Sequence, residues 1–193
     1  VSHFGFIVLG IFAFTSTSIS GSSFYMVNHG FSTGALFLLV GFLGARRGSV
    51  RIDAFGGLQR AVPVLAGLFL VVGLSSLALP GLSPFVSEFL VLVGTFATQP
   101  AAAVLATLGV VLAAIYILWM YQRAFHGPVN VAVAGLPDVS ARERWVVGPL
   151  VALMLVLGFV PAPALNLVRP AAQVTITQVG VTDAPAVAEG SAK

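Results

Sequence analysis

The sequence predicts an all-α protein: a polytopic transmembrane helix bundle with one discontinuous helix. Three observations carry that reading. The first is composition. Of 193 residues, 58% are hydrophobic and 8% charged, with a mean hydropathy of +1.04. A soluble domain carries about 25% charged residues, so this chain lacks the polar side chains to cover a water-facing surface. The second is the set of long apolar runs. The third is the stretch LPGLSPFVSEFLVLVG at 79–94, where Pro80, Gly81 and Pro84 interrupt one of those runs and an acid, Glu88, follows.

Taken in order, the runs give five segments. The hydrocarbon core of a bilayer is about 30 Å thick and a helix rises about 1.5 Å per residue, so one span takes about 20 residues. The first segment covers Val1 to about Phe14 and is expected to end in a polar turn, TSTSISGSS, at Thr15–Ser23. No basic segment precedes it, so it does not read as a signal peptide; the chain reads as the C-terminal part of a longer one. The second segment covers about Phe24–Leu43 and stops at GARRGSVRID. The third runs from Val62 to Ala97, too long for one straight span, and Pro80, Gly81 and Pro84 cut it. The fourth covers about Ala101–Tyr121. The fifth covers about Trp145–Val160, ended by Pro161 and Pro163. Residues 1–163 are thus expected to form the membrane bundle and 164–193 a polar extramembrane tail. The last part of that tail, APAVAEGSAK, has a disordered composition.

Charge orients the bundle. The net charge of +3 comes from short clusters beside apolar runs, the pattern of loops flanking spans and not of a nucleic-acid surface. Arg46, Arg47, Arg51 and Arg60 lie in one loop and Arg123, Arg142 and Arg144 in another; the turns at Thr15–Ser23 and Thr98–Pro100 hold no charge. The Arg-rich loops are therefore expected at the cytoplasmic face. Trp119, Tyr121 and Trp145 fall at the same ends of their spans, as an aromatic belt predicts.

Three ionisable groups lie inside the spans: His3, His29 and Glu88. A carboxylate at a helix centre costs about 2.5–3.5 kcal/mol on insertion scales, so such a residue usually has a use. His3 lies roughly 18 Å before the outer turn, His29 about six residues into the second span, and Glu88 about ten residues from the outer end of the broken one. Packed together, they would line a polar path from mid-membrane outward. A proline frees backbone groups that lipid cannot satisfy, so broken helices line wet cavities or lie buried in protein. Ser83 and Ser87, with Ser75 and Ser76, are the side chains expected to hydrate the break. The bland alternatives are a structural Glu88 hydrogen-bonded to a neighbouring span, and a packing His29 bonded to Ser32 or Thr33 one turn on. There is no cysteine, which removes thiolate metal and iron–sulfur ligation, and no metal site is expected.

The stretches SHFGFIVLG, MVNHGFSTGALFLLVGFL and GGLQRAVPVLAGLFLVVGLSSLALPGLSPFVSEFLVLVGTF resemble the antiporter-like membrane subunits of proton-translocating NADH:quinone oxidoreductase, respiratory complex I. The resemblance covers about the first 160 residues. Paralogous subunits of the L and N type usually carry Lys where this chain has Glu88, so the resemblance is nearest to the M type. It implies that the chain matches the last spans of a longer subunit. His3 and His29 then match the histidines of a central proton axis, and Glu88 its terminal, outward-opening acid. The earlier Glu and Lys of the axis are absent, so the chain alone would hold only the exit half of a pathway and would not pump.

The resemblance further implies that this chain is a non-redox subunit that binds no cofactor. NADH, FMN, iron–sulfur clusters and quinone would sit in partner subunits, and the partners would be other membrane-arm subunits, including the paralogues, within a bacterial plasma membrane. The alternatives are a subunit of a multisubunit cation/proton antiporter or membrane-bound hydrogenase, or a scaffold without transport.

Overall fold

The polar stretch expected to form an outer turn is instead the start of the longest helix. In the computed structural model, which describes residues 2–183, helix α1 (Ser2–Phe12) is followed within a few residues by α2 (Ser16–Arg47). Thr15 caps α2, its hydroxyl accepting from the Ser18 amide while the Ser18 side chain reaches back to the Thr15 amide. Ser18, Ser20 and Ser22 are buried, and their hydroxyls find partners inside the protein. Ser20 donates to the Ser16 carbonyl (2.6 Å) and Ser22 to the Ile7 carbonyl (2.5 Å). Small residues let helices approach closely in a membrane, where lipid supplies no hydrophobic drive between them. A Cβ on Gly94 would stand 2.5 Å from the Ser18 nitrogen, and one on Gly21 would stand 2.7 Å from Leu90 Cβ. Serine and glycine thus serve the α1–α2–α5 seam, where hydropathy alone suggested a loop.

The 32 residues of α2 extend about 48 Å, well beyond a hydrocarbon core of about 30 Å. It ends at Arg46 and Arg47, with Gly48 in the left-handed conformation (φ 71°). A 3-10 turn (Ile52–Ala54) and α3 (Leu58–Ala61) lead to α4 (Pro63–Ser76). Helix α5 (Ser83–Thr98) follows the break, then α6 (Pro100–Phe125) and α7 (Ala141–Phe159). Helix α8 (Ala162–Val179) leaves α7 at 74°. No strand occurs among the described residues. Helices α2 and α6 are each long and apolar enough to cross a membrane, and α7 with α8 passes the same test as a bent pair; α1, α4 and α5 are shorter apolar helices.

The two ends of the bundle differ as the charge pattern predicts. At one end the Arg-rich loops meet. The Gly57 amide donates to the His126 carbonyl (2.9 Å), and the Asn130 amide to the Gly56 carbonyl (3.1 Å). Arg46 pairs with both oxygens of Glu143 (2.7 and 2.6 Å) and donates to the Pro137 carbonyl. The Arg46 guanidinium holds the Glu143 carboxyl low, at about 2; this carboxyl stands in the first turn of α7, ahead of the apolar run that begins at Trp145. Asp138 caps α4 by accepting from the Val64 and Leu65 amides (2.8 and 3.0 Å). At the other end the uncharged turns meet: Thr98 donates to the Ala13 carbonyl (2.9 Å) and Thr15 to the Gly94 carbonyl (3.3 Å).

A large apolar core including Leu39, Leu65, Val72, Phe125 and Met154 fills the Arg-rich half. The boundary expected at 163/164 falls inside α8, whose Ala172 and Ile176 pack on Ile19 of α2. The polar composition after Leu165 belongs to a docked helix whose outward side mixes Gln173, Thr175 and Thr177 with exposed Leu167 and Val174. The final stretch read as disordered lies outside the described residues.

Candidate functional site

The break falls where Pro80, Gly81 and Pro84 placed it, between the end of α4 at Ser76 and the start of α5 at Ser83. Gly81 has φ +95° and Ala78 φ +55°, so the chain turns through conformations that a helix does not contain. Pro84 then sits in the first turn of α5, where its missing N–H costs nothing. A Cβ on Gly158 of α7 would collide with the Gly81 carbonyl, so α7 closes directly against the break.

All four serines around the break are buried. Ser76 donates to the Val72 carbonyl, and Ser75 faces the Met154 sulfur at 3.2 Å. Asn28 of α2, a residue the sequence reading passed over, reaches across to the start of α5. Its amide nitrogen donates to the Ser83 carbonyl (3.1 Å) and to the Ser87 hydroxyl (2.7 Å). Asn28 Oδ1, Ser83 Oγ and Thr95 Oγ1 are buried without a protein partner. Buried polar atoms of this kind are ordinarily paired, commonly with ordered water.

The three ionisable residues come together on three helices. His3 Nδ1 lies 3.5 Å from Glu88 Oε1. The His3 and His29 rings meet edge to face, with centroids 5.4 Å apart. The expected offset in depth between the histidines disappears because α2 starts at Ser16. His3 lies twelve residues before Thr15 and His29 fourteen after it, so both sit at nearly the same level on antiparallel neighbours. The bland partner of His29 is present as well: Thr33 Oγ1 lies 3.3 Å from its Nε2, and Ser32 donates to its carbonyl.

Tyr25 is the residue the sequence reading missed. Its ring is almost fully buried, at 1% exposure. Its hydroxyl donates to Glu88 Oε1 and lies 2.6 Å from His3 Nδ1. The order in space is therefore His29, His3, Tyr25, Glu88. The signal was available: Tyr25 is one helical turn from His29, on the same face of α2. Outward of Glu88 the seam is shut by Val91, which is fully buried between Gly10 and Gly21. Glu88 itself is 5% exposed. It faces groups that can give or take a proton, and it faces protein rather than lipid.

Broken membrane helices and buried ionisable clusters recur in membrane proteins that move protons or ions. Comparison with known proteins agrees. The family described as "NADH:quinone oxidoreductase/Mrp antiporter, TM" matches residues 1–115, and the chain belongs to it. NADH-quinone oxidoreductase subunit M of Mycobacterium tuberculosis (strain H37Rv) is 51% identical over 189 residues, covering 97% of this chain and 34% of the relative. The subunit M of Rhodobacter capsulatus is 40% identical over 171 residues, 88% of this chain and 33% of the relative. The chain thus spans about a third of the length of the curated relatives it matches.

Among solved structures, a chain of respiratory complex I from Thermus thermophilus with bound NADH superposes with a TM-score of 0.85 at 34% identity. The match covers 92% of this chain and 38% of that one. A chain of the Mrp complex from Dietzia sp. DQ12-45-1b gives 0.76 at 22% identity, covering 92% and 42%; that likeness shows the fold alone.

Proposed function

We propose that this chain forms the outward part of a proton pathway in a membrane subunit of proton-translocating NADH:quinone oxidoreductase, with His29, His3 and Glu88 as proton-carrying groups. The observation that carries it is the buried contact of His3 with Glu88 beside a broken helix. The relatives at 51% and 40% identity bear the oxidoreductase name, which favours this reading over a cation/proton antiporter or a membrane-bound hydrogenase.

In this mechanism a proton reaches the histidine pair from the part of the pathway held by residues outside this chain, and passes to Glu88. The carboxyl then waits, neutral, behind Val91. Release outward requires the α1–α2–α5 seam to loosen at Val91, so closure of that seam separates loading from release. Ser83, Ser87 and Asn28 at the break would hold water that reaches Glu88 from the side of the break. The chain itself would bind no cofactor. Electron transfer from NADH through flavin and iron–sulfur centres to quinone would proceed in partner subunits, and its energy would reach this one through the protein. The partners would be other membrane-arm subunits in a bacterial plasma membrane.

The test is Glu88→Gln in the complete oxidoreductase, reconstituted in vesicles. The predicted outcome is lost or strongly reduced proton translocation with the complex assembled and NADH oxidation by an artificial acceptor intact. Unchanged translocation would leave a scaffold role.

A further inference from the structure

Tyr25 joins His3 to Glu88 by a chain of donors with a definite direction. Glu88 as a carboxylate only accepts, so the one hydroxyl proton of Tyr25 is committed to Glu88 Oε1. The Tyr25 oxygen then accepts, and His3 Nδ1, 2.6 Å away, must supply the proton for that contact. The chain therefore reads His3 Nδ1–H to Tyr25 Oη–H to Glu88 Oε1. The direct His3–Glu88 separation of 3.5 Å is long for a hydrogen bond, whereas both legs through the hydroxyl are in reach. The phenol ring is held at 1% exposure against Phe6, Ile7 and Val91, so it has no room to swing aside. The titratable groups around it are His3 on α1, His29 on its own helix, Glu88 on α5 and Tyr116 on α6.

We propose that Tyr25 is the relay through which His3 protonates Glu88, and that its hydroxyl passes one proton at a time until reset. This rests on the reading of Glu88 as a proton-carrying acid. The step balances without any co-reactant. Imidazolium His3 gives its Nδ1 proton to Tyr25 Oη as Tyr25 gives its own proton to Glu88. His3 is left neutral with a proton on Nε2, Tyr25 is neutral throughout, and Glu88 becomes a carboxylic acid. The hydrogen bonds now point the other way, with Glu88 donating to Tyr25 and Tyr25 donating to His3 Nδ1. A second proton cannot pass in the forward sense until Glu88 has released its own outward and the Tyr25 hydroxyl has turned back to the carboxylate. The same phenol that conducts also enforces one proton per cycle.

The experiment uses the complete oxidoreductase in vesicles, with Tyr25→Phe beside Glu88→Gln. Tyr25→Phe keeps the ring and its packing and removes only the relay. We expect the proton-transfer step to slow by about a hundredfold, the low end for a positioned proton donor, with assembly and artificial-acceptor NADH oxidation unchanged. A second series replaces Tyr25 with fluorinated tyrosines of graded phenol acidity, which decides the matter even where the Phe variant fails to assemble. A relay gives a translocation rate and a pH profile that track the acidity; a packing tyrosine gives a flat series. Wild-type translocation in Tyr25→Phe, or a flat series, overturns the relay. If those results come with a Glu88→Gln variant that is dead, the pathway reading stands and only the relay falls; if Glu88→Gln also pumps normally, the pathway reading itself is lost.

Discussion

His3 Nδ1 and Glu88 Oε1 lie 3.5 Å apart across the seam between α1 and α5, inside a bundle whose Arg-rich loops all gather at one end. On the proposed pathway an imidazole and a carboxyl this close serve one proton route in series. Their effects on proton translocation should therefore not add. His3→Gln, Glu88→Gln and the double variant are expected to lose translocation to about the same extent, the signature of coupled sites. A double variant much worse than either single one would show two independent paths. The measurement is a double-mutant cycle on translocation rate in vesicles.

Asn28 ties α2 to the first turn of α5 through the Ser83 carbonyl and the Ser87 hydroxyl. Asn28→Leu keeps the volume and removes both buried bonds, leaving the Ser87 hydroxyl only its long 3.5 Å contact with the Ser83 carbonyl. Stranding buried polar groups costs about 1–3 kcal/mol each, so the purified complex should unfold at lower temperature or denaturant. Asn28→Asp keeps the shape but loses the donor, and should be nearly as damaging. Thermal unfolding of the detergent-solubilised complex reads this directly.

Gly94 has no room for a side chain, since its Cβ would stand 2.5 Å from the Ser18 nitrogen and 2.8 Å from Ser18 Cα. The obstruction is backbone and cannot rotate away. Gly94→Ala should push α2 from α5, destabilise by about 1–3 kcal/mol as overpacking does, and lengthen the Tyr25–Glu88 contact further along the same seam. Loss of translocation together with lower thermal stability is the expected outcome, in contrast to Tyr25→Phe, which should lose translocation alone.

The architecture was legible in the sequence to an instructive degree. Apolar runs located the helices, Pro80 and Gly81 located the break, and arginines sorted the loops to one end, because each is a local property of the chain. The start of α2 was not legible. Ser16–Ser23 scores as polar on any transfer scale, yet Ser18, Ser20, Gly21 and Ser22 are buried in a seam closely packed with Gly10, Gly94 and Leu90, which are distant in sequence. That single misplacement shifted His29 toward the surface and hid the common level of the two histidines. Tyr25 and Asn28 escaped notice because a tyrosine or asparagine in a span is ordinary until its neighbours are known. The helical state of α8 was masked by Thr and Gln on its outward face, while Ala172 and Ile176 form the thin stripe that docks it.

The Arg46–Glu143 pair fastens the end of α2 to the start of α7 with two charge-assisted bonds. The Glu143 carboxyl, held at about 2 by that guanidinium, is depressed below the usual carboxylate value. Its contribution is therefore fully present at any pH above about 4.5 and is lost only as pH falls toward 2. Glu143→Ala leaves Arg46 unpaired in a mostly covered site and should cost about 1.5–3 kcal/mol, the range for a hydrogen bond to a charged group. It should also open the 126–140 loop to protease while leaving the His3–Glu88 cluster, more than four turns away along α2, untouched. Limited proteolysis at neutral pH, wild type beside variant, reads both.

The most direct measurement is the protonation state of Glu88 itself during turnover. Infrared difference spectra of the working complex, wild type minus Glu88→Gln, isolate the carbonyl stretch of this one carboxyl. A protonated-carboxyl band that rises and falls with NADH-driven turnover is the predicted result. A Glu88 carboxyl that stays in one protonation state while the complex pumps at full rate contradicts the account.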